Sequence, residues 1–531
     1  MRVILRERQQ WGNRALASTG SSLATFAALT VMEEGGTAFD AAITASALLT
    51  VCMPMASGPG GDAAAVLHVS GKTEPLALTS LGRAPRAADP EAFRTRGLTT
   101  VPRTGILSAT TPALVDAWYA VHESLGTRPL EHLLRPAVRA AAEGAPVTGQ
   151  LQRWAQANLA VLEQPEFQRT YTAAAQPDAV GTRLRQPGLA RLYTMVGRLG
   201  AEDLRQEVGT ELDAVSAQFG GLLASGDMTR SHARIDSART LEIAGHQIAV
   251  PPAPTQGPLM LQNLALYAPL APEEGSHRAA GIHLLAEVFN QTFGWRLKHL
   301  RDPEAGTAAP DPLAPQTLAE LSRGIDPDKR SPCRYAGHYS HGDTTHFVLA
   351  DRFGNAVTWV QSLGLGFGAG VGVPKLGLLL CNRLGRSATL SAGHANRVRP
   401  GARPVNTIFP WTISDGRTAL RLGGTPGGDG QCQWNTQVAA GLLFDRATPL
   451  RALSLPRWTY FPGSDKIEAG RREQLHADET LEESTVAELE RRGHEMVRKA
   501  SVGGANRLLE AGSGALYGLD DGRQEGLTAA C

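Results

Sequence analysis

The sequence has little of what holds a small disulfide-linked or metal-stapled fold together. Its five cysteines, Cys52, Cys333, Cys381, Cys432 and Cys531, are odd in number and widely spaced, and no two form a CxxC pair. A disulfide framework and a cysteine-rich metal site are therefore poorly supported. The histidines do not cluster at the spacing of metal ligands either, so we predict neither a metal nor another cofactor.

Long apolar runs and an excess of charge of one sign are also missing. The longest apolar run, residues 41–56, is too short and too rich in Ala, Thr and Pro to span a bilayer. Residues 1–20 carry arginines but lack the apolar core of about 7–15 residues that a secretory signal needs. With 52 basic and 51 acidic residues, the chain has no field that attracts nucleic acid or anionic lipid. We expect a cytoplasmic protein that binds neither.

What the sequence does contain is enough apolar surface for a large core. The chain has 531 residues, of which 42% are apolar and only 5% aromatic, and it has 58 glycines. Small residues at this frequency suit close packing of helices on sheets, and the length suggests two or more lobes. Helical spacing occurs at 23–31 and 38–51, and residues 150–236 look mostly helical. Alternation or β-rich composition predicts strands at 63–69, 75–81, 241–250 and 407–413.

The most informative stretch surrounds the dipeptide Thr344-Thr345. Upstream, residues 301–343 are Pro-rich and weakly apolar, which predicts a flexible linker. Downstream, residues 346–350 and 356–361 alternate on either side of a Gly-Asn turn, which predicts a β-hairpin. A threonine that starts a buried strand after a flexible leader suggests cleavage before Thr344. The freed α-amine has a pKa of about 7.7–8.0, so it can take the proton of the neighbouring hydroxyl near neutral pH.

Simpler interpretations exist for several of these features. A Thr-Thr-His triplet alone is typical of an ordinary strand start, and His346 fits a packed structural residue better than a catalytic base. The glycine-rich residues 57–61 lack the Lys-Ser/Thr of a P-loop, so we predict a tight turn there and not a phosphate site.

Five stretches, in this order, resemble the γ-glutamyltranspeptidase family: 34–42, 57–62, 130–147, 343–357 and 425–428. The resemblance covers nearly the whole chain. It implies an N-terminal-nucleophile hydrolase, made as a precursor that cuts itself into two subunits. The implied fold is of the α/β (α+β) class, a four-layer αββα sandwich whose central strands come from both subunits. The large subunit would be 1–343, ending in the linker 301–343, and the small subunit would be 344–531.

The resemblance also implies roles for particular residues. Thr344 matches the nucleophile and new N-terminus, and its hydroxyl would attack the Asp343 carbonyl during self-cleavage. Ser362 matches a second hydroxyl that hydrogen-bonds the nucleophile. Gly427 and Gly428 match the glycines whose backbone N–H groups form the oxyanion hole. The physics agrees, because adjacent glycines expose bare amides, and one such donor is worth about 2.7–4 kcal/mol in a transition state.

The chain departs from the family where transpeptidases hold the α-amino group of the substrate. In the matching run, 381–386, an acid has become Arg386 and a neighbouring amide or acid has become Arg383. Two guanidinium groups would repel an ammonium, so the usual γ-glutamyl pose is disfavoured. The carboxylate-binding arginine of the family falls on Leu81, two residues before Arg83. The paired family serines correspond to Asn406 and Thr407, which we take as candidate substrate ligands.

These departures resemble the branch with cephalosporin-acylase-like and oxamate-amidohydrolase-like members. A substrate with a carboxylate and no ammonium fits Arg83 and Arg383, because arginine grips carboxylates bidentately. Oxamate is the smallest such amide, and its hydrolysis gives oxalate and ammonia. The alternatives are a glutaryl- or cephalosporin-type acylase, a glutathione hydrolase or γ-glutamyltransferase, and a non-catalytic binding subunit. Pairing of Arg383 or Arg386 with acids such as Asp429 also stays open, as does a purely structural role for Asn406 and Thr407.

Overall fold

The computed structural model describes residues 8–230, 232–306, 309–333, 343–416, 419–461, 473–512 and 514–531. The helices in this part of the chain are α1 Ser22–Glu33, α2 Ala38–Cys52, α3 Pro90–Arg94, α4 Leu114–Leu125, α5 Leu130–Glu143, α6 Gly149–Asn158, α7 Pro165–Thr172, α8 Pro187–Arg198, α9 Ala201–Phe219, α10 Gly257–Tyr267, α11 Ala279–His299, α12 Pro315–Ser322, α13 Arg383–Ser387, α14 Gly430–Leu443, α15 Pro449–Ser454 and α16 Glu483–Arg491. The strands are β1 Arg8–Gly12, β2 Ala15–Thr19, β3 Asp62–His68, β4 Leu76–Ser80, β5 Ala145–Pro146, β6 Arg183–Leu184, β7 Ala233–Ser237, β8 Arg239–Ile243, β9 His246–Val250, β10 Asp343–Asp351, β11 Ala356–Gly364, β12 Gly372–Val373, β13 Leu378–Leu379, β14 Trp411–Ser414, β15 Ala419–Gly424, β16 Trp458–Phe461, β17 Gln474–Asp478, β18 Met496–Lys499, β19 Arg507–Gly512, β20 Leu516–Asp520 and β21 Leu527–Ala530.

Two antiparallel sheets of seven strands form the centre of the molecule. Sheet I has the strand order β21-β2-β10-β11-β3-β4-β7, and sheet II has the order β1-β20-β19-β15-β14-β9-β8. The predicted hairpin is β10 and β11, and it lies in the middle of sheet I between β2 and β3. Strands from before and after residue 343 are therefore interleaved within one sheet.

Side-chain alternation along β10 shows how the two sheets are layered. Phe347 and Leu349 enter the large apolar core under the helices that cover sheet I, among them α2, α4 and α5. Val348 and Ala350 point the other way, into a smaller core that joins the two sheets through Leu422 of β15. Helices α10, α11 and α14 contribute to the core on the outer face of sheet II. The fold is thus the predicted α+β, four-layer αββα sandwich.

The start of α2 shows how polar residues fix the helical layer on sheet I. Thr37 and Asp40 form a capping box, in which Thr37 Oγ1 accepts from Asp40 N and Asp40 Oδ2 accepts from Thr37 N at 2.9 Å. Asp40 is fully buried and also accepts from Thr127 N at 2.9 Å. The cap therefore ties α2 to the loop before α5, and the alanines of α2 allow close packing on the sheet.

The segment expected to be a flexible linker, 301–343, is packed against the rest of the protein over the residues described there, 301–306 and 309–333. Asp302 is only 3% exposed and accepts from Arg403 Nη2 at 2.6 Å. Residues 315–322 form α12, and Ser331 N donates to the buried Glu287 at 2.9 Å. This part of the prediction is wrong because the polar residues meet buried charged partners from distant segments. Residues 334–342 of the expected linker lie outside the described residues.

Two strand predictions also need correction. The single strand expected at 241–250 is a hairpin of β8 and β9, because Ala244 (φ 52°) and Gly245 (φ 75°) make a left-handed turn within it. The strand expected at 407–413 begins only at Trp411. Among the described helices, none has the length and apolarity to cross a bilayer.

Candidate active site

Thr344 lies at the beginning of β10, on the face that points between the two sheets. Its neighbour Thr345 points the other way, toward Gly20 and Met53 in the helical layer. Thr344 is 1% exposed, and its Oγ1 donates to Ser362 Oγ on β11 at 3.1 Å. The register of β10 and β11 shifts between Asp343 and Thr345. Such a bulge changes the direction of a side chain, and here it occurs where the Thr344 hydroxyl contacts Ser362.

Ser362 is held in turn by the backbone of its own strand end. Its Oγ accepts from Gly364 N at 2.9 Å, and Gly364 has a left-handed φ of 98°. The structure thus brings together the two hydroxyl groups, of Thr344 and Ser362, that the family resemblance pairs.

His346 sits one alternation after Thr344 and connects the two sheets. Thr358 Oγ1 donates to Gly423 O at 3.1 Å, so it must accept from His346 Nε2, which lies 2.9 Å away. His346 is fully buried, and burial, assisted by the charge of Arg507, lowers its pKa well below the usual value. A neutral imidazole engaged in this way is a structural link between the sheets.

We therefore expect His346→Gln to leave the acid limb of the pH–rate profile unmoved. The family resemblance implies that cleavage frees the α-amine of Thr344 as the base. That amine would have to be neutral to accept a proton, so the rate should fall as pH drops through its pKa, about 7.7–8.0 in an unperturbed chain. His346 is already neutral across that range, and glutamine keeps an N–H donor for Thr358. The measurement is kcat/KM against pH for both processed proteins. A midpoint displaced by the substitution would make His346 the base instead.

Gly427 and Gly428 lie in the loop that joins β15 to α14. Gly427 has φ 124° and Gly428 has φ 60°, conformations that glycine adopts readily and L side chains rarely do. Within the described part of the chain, neither amide N–H donates to a protein acceptor. The loop begins close to β10, because the end of β15 packs on it: a Cβ added at Gly424 would lie 2.6 Å from the His346 ring.

Trp434 of α14 packs on the glycine loop. A Cβ at Gly427 would lie 2.2 Å from Trp434 Cζ3, and one at Gly430 would lie 2.4 Å from the same ring. The ring is fixed by its Nε1, which donates to Thr459 Oγ1 at 2.8 Å. Trp434 therefore forms the wall behind the glycine loop.

Asp62 is a site residue that the sequence analysis did not single out. It pairs with Ser362 across β3 and β11 and is fully buried. Its Oδ1 accepts from Gly82 N at 2.7 Å, and its Oδ2 accepts from Asn406 Nδ2 at 2.7 Å and from Cys381 Sγ at 3.4 Å. The signal was available, because a charged residue opens an otherwise apolar strand, and such a buried charge needs partners.

Arg383 of α13 reaches the same carboxylate. Its Nε lies 3.5 Å from Asp62 Oδ2, and its Nη1 lies 3.4 Å from Thr407 Oγ1, both long contacts. Its remaining nitrogen, Nη2, has no acceptor among the described residues. Three of the predicted substrate ligands, Arg383, Asn406 and Thr407, therefore converge on or beside Asp62.

Arg386 points away from this group and toward the glycine loop. Its Nη2 donates to Asp429 Oδ2 at 3.0 Å, and Arg296 Nη2 lies 3.7 Å from Asp429 Oδ1. Burial lowers the pKa of Arg386 to about 10, which still leaves it charged at neutral pH. The pairing with Asp429 that the sequence left open is present.

Arg83 is engaged with acids of the 302–306 segment. Its Nη2 donates to Glu304 Oε2 at 2.9 Å and its Nη1 to Gly401 O at 3.1 Å. Arg403 bridges Asp302 and Glu304 in the same cluster. Burial lowers the pKa of Arg83, and Glu304 opposes that effect. Arg83 is thus a predicted ligand that already forms a short ion pair with Glu304 and does not join the group around Asp62.

Two seven-stranded antiparallel sheets with helices outside both form the sandwich of the N-terminal-nucleophile hydrolases, and Thr344 lies between the two sheets. The family profile described as Gamma-glutamyltranspeptidase matches residues 24–531. The chain belongs to the γ-glutamyltranspeptidase family. It is a hydrolase of amide C–N bonds that is made as a proenzyme.

Three similar proteins show the range of this family. The oxamate amidohydrolase proenzyme of Klebsiella pneumoniae is 29% identical, over 96% of each chain. The glutathione hydrolase-like YwrD proenzyme of Bacillus subtilis is 27% identical, over 91% of each chain. The crystal structure of cephalosporin acylase from Bacillus halodurans superposes with a TM-score of 0.88 at 25% identity, covering 99% of this chain and 97% of that one.

Proposed function

We propose that this protein hydrolyses a small amide that carries a carboxylate, with oxamate the best candidate, to give oxalate and ammonia. The observation that carries the proposal is the state of Arg383. It is a buried cation beside the Thr344–Ser362 pair, its protein contacts are long, and its Nη2 has no acceptor in the described chain. A substrate carboxylate would form the shorter, charge-assisted bonds that this guanidinium lacks.

The same geometry disfavours a substrate ammonium. Asp62 is the acid nearest to the candidate ligands, but its oxygens already accept from Gly82 N and Asn406 Nδ2 at 2.7 Å each. Asp429 already lies between two cations, with its Oδ2 bonded to Arg386 and its Oδ1 3.7 Å from Arg296 Nη2. An ammonium would therefore meet Arg383 without a free acid to hold it, which argues against the γ-glutamyl alternative.

In the proposed mechanism the Thr344 hydroxyl attacks two carbonyl carbons, first that of Asp343 and then that of the substrate. Cleavage of the Asp343–Thr344 peptide bond frees the α-amine of Thr344. That amine takes the Thr344 Oγ proton as Oγ attacks the amide carbonyl carbon. The C–N bond then breaks, the proton leaves with ammonia, and the acyl group stays as an ester on Thr344. Water opens the ester and gives a proton to the amine, which returns it to Thr344 Oγ as the acid leaves, so the balance is amide plus water to carboxylate plus ammonium.

The residues around Thr344 have proposed parts in these steps. Ser362 orients the Thr344 hydroxyl, since the two lie 3.1 Å apart. The amides of Gly427 and Gly428 stabilise the oxyanion of each tetrahedral intermediate.

The remaining predicted ligands position the cation that would bind the substrate carboxylate. Asn406 holds Asp62, and Asp62 and Thr407 orient Arg383. For Arg83 to bind the substrate, Glu304 would have to give way, so we place the carboxylate on Arg383 first.

The acylase alternative has a specific observation in its favour, the TM-score of 0.88 with a cephalosporin acylase. A glutaryl amide also presents a carboxylate to Arg383, at a greater distance from the scissile bond. The two functions thus share a nucleophile and a cation and differ in the length of the acyl pocket.

A panel of oxamate, succinamate, a glutaryl anilide and a γ-glutamyl anilide separates these functions. We expect ammonia release from oxamate to be the fastest reaction. Preference for the glutaryl anilide would move the chain among the acylases, and preference for the γ-glutamyl anilide would contradict the proposal.

Arg383→Gln should raise KM for the preferred amide by about tenfold to a hundredfold, because a hydrogen bond between charged partners contributes about 1.5–3 kcal/mol. Arg83→Gln is the matched control and should leave KM within about twofold while lowering thermal stability, because it breaks an ion pair with the chain's own Glu304. If KM responds to Arg83 and not to Arg383, the two assignments must be exchanged.

A further inference from the structure

The two arginines of α13 contact opposite halves of the site. Arg383 faces Asp62, which pairs with Ser362 on sheet I. Arg386, one turn later, bonds Asp429, the residue that follows the oxyanion glycines. A five-residue helix thus connects the end of the β10–β11 hairpin in sheet I with the glycine loop that follows β15 of sheet II.

Asp429 holds the N-cap position of α14 but does not cap it. No hydrogen bond runs from its side chain to the first turn of the helix, although Asp is a preferred capping residue. The carboxylate instead turns to Arg386 at 3.0 Å and to Arg296 at 3.7 Å, and all three residues are at least 96% buried. The backbone of Asp429 is itself helical (φ −65°, ψ −25°), unlike that of a typical capping residue, so its carboxylate is left to pair with the two buried cations beside the glycine loop.

α13 is itself rigidly seated. A Cβ at Gly385 would lie 2.0 Å from Pro102 O, so the helix touches the backbone of the large-subunit segment. Asn382, at its start, accepts from Leu365 N at 3.0 Å and donates to Arg103 O at 2.8 Å. Because α13 cannot shift without losing these contacts, it can serve as a fixed reference for whatever Arg386 holds.

We propose that the Arg386–Asp429 pair, backed by Arg296, is a positioning device that sets the Gly427 and Gly428 amides relative to Thr344. The inference rests on the proposed use of those glycines as oxyanion donors. Arg383 and Arg386 then divide the work on one helix: the first binds the substrate carboxylate, and the second fixes the loop that stabilises the transition state. Loss of the pair changes kcat, whereas loss of Arg383 changes KM.

The test compares Asp429→Asn and Arg386→Gln with wild type, using only processed protein confirmed by intact mass. A displaced loop forfeits part of an oxyanion donor, so kcat should fall by about tenfold to a hundredfold while KM stays within about twofold. Arg386→Lys, which keeps the charge, should recover part of the loss. The double variant should be no worse than the poorer single variant, because the residues act as one unit.

The matched control is Arg205→Gln, which breaks another arginine–acid pair, Arg205 Nη1–Asp116 Oδ1 at 3.1 Å, away from these residues. It should lower the unfolding temperature without changing kcat. Unchanged kcat in Asp429→Asn and Arg386→Gln would overturn the proposal. A rise in KM alone would also overturn it, because that would place Arg386 on the substrate. A fall in kcat for Arg205→Gln, in proportion to its loss of stability, would overturn it as well, because instability alone would then explain the effect.

A second readout separates this inference from the proposed substrate. Acetylation of Thr344 by p-nitrophenyl acetate, followed by intact mass, passes through the same tetrahedral oxyanion without a substrate carboxylate. If wild type is acetylated but hydrolyses no member of the amide panel, the substrate proposal fails and the positioning device is still tested. Equal acetylation rates in wild type and Asp429→Asn would reject the device whatever the substrate is.

Discussion

Thr344→Ala should yield a single uncut chain of full-length mass that releases no ammonia above the uncatalysed background. The substitution removes the hydroxyl that bonds Ser362 at 3.1 Å and that we propose attacks both the Asp343 carbonyl and the substrate. We expect no remaining side chain to form the ester, so both reactions stop together. Denaturing gel electrophoresis, intact mass and an ammonia assay read the two losses.

Thr345→Ala is the matched control, one residue away on the opposite face of β10. Thr345 Oγ1 is buried without a hydrogen-bond partner in the described chain, so its loss affects packing near Met53 and not the chemistry. This variant should be cut normally and retain activity. In the wild type, N-terminal sequencing of the small fragment should begin at Thr344. Normal cutting of the Thr344→Ala variant, or a fragment that begins elsewhere, would defeat the assignment of the nucleophile.

Gly427→Ala should lower kcat by about a hundredfold to a thousandfold, the usual cost of one oxyanion donor. A methyl group there would lie 2.2 Å from Trp434 Cζ3, and φ 124° is strained for alanine. The loop must rotate to relieve both conflicts, and the amide N–H turns away with it. Steady-state kinetics on cut protein should show the loss in kcat, with KM little changed because Arg383 is untouched.

Gly393→Ala controls for backbone strain alone. Gly393 also has a left-handed φ, 78°, but nothing lies within 4 Å of the added Cβ. The control should cost about 1 kcal/mol of stability, typical of alanine in a left-handed position, and leave kcat unchanged. Equal kcat losses in the two variants would show that strain, and not the donor, explains the effect at Gly427.

Alternation on either side of a Gly-Asn turn was enough to predict the hairpin β10–β11, because such a pattern lies within about twenty residues. The sandwich and the contact between Thr344 and Ser362 were expected only from the resemblance to a known family. Asp62 was missed because its role depends on residues that are far apart in the sequence. Its partners Gly82, Cys381 and Asn406 come from distant segments, and only the folded chain brings them together.

The expected linker failed for a related physical reason. A Pro-rich, charged composition is typical of solvated chain, but composition does not reveal a partner elsewhere. Asp302 finds Arg403 far along the chain, and Ser331 finds the buried Glu287. The roles of Arg383 and Arg386 stayed ambiguous in the sequence because both are arginines in one short run. Their different partners, Asp62 and Asp429, come from distant segments that only the folded chain brings to α13.

The interleaving of strands in sheet I has a consequence for the mature protein. β10 lies beside β2, β11 lies beside β3, and β21 at the far terminus pairs with β2. Neither fragment alone contains the whole sheet or a complete core, so each would expose broad apolar faces if they parted. The nicked molecule should thus behave as a fragment-complemented protein that assembles once, as a precursor. Denatured halves mixed in a test tube should then aggregate and not reassociate.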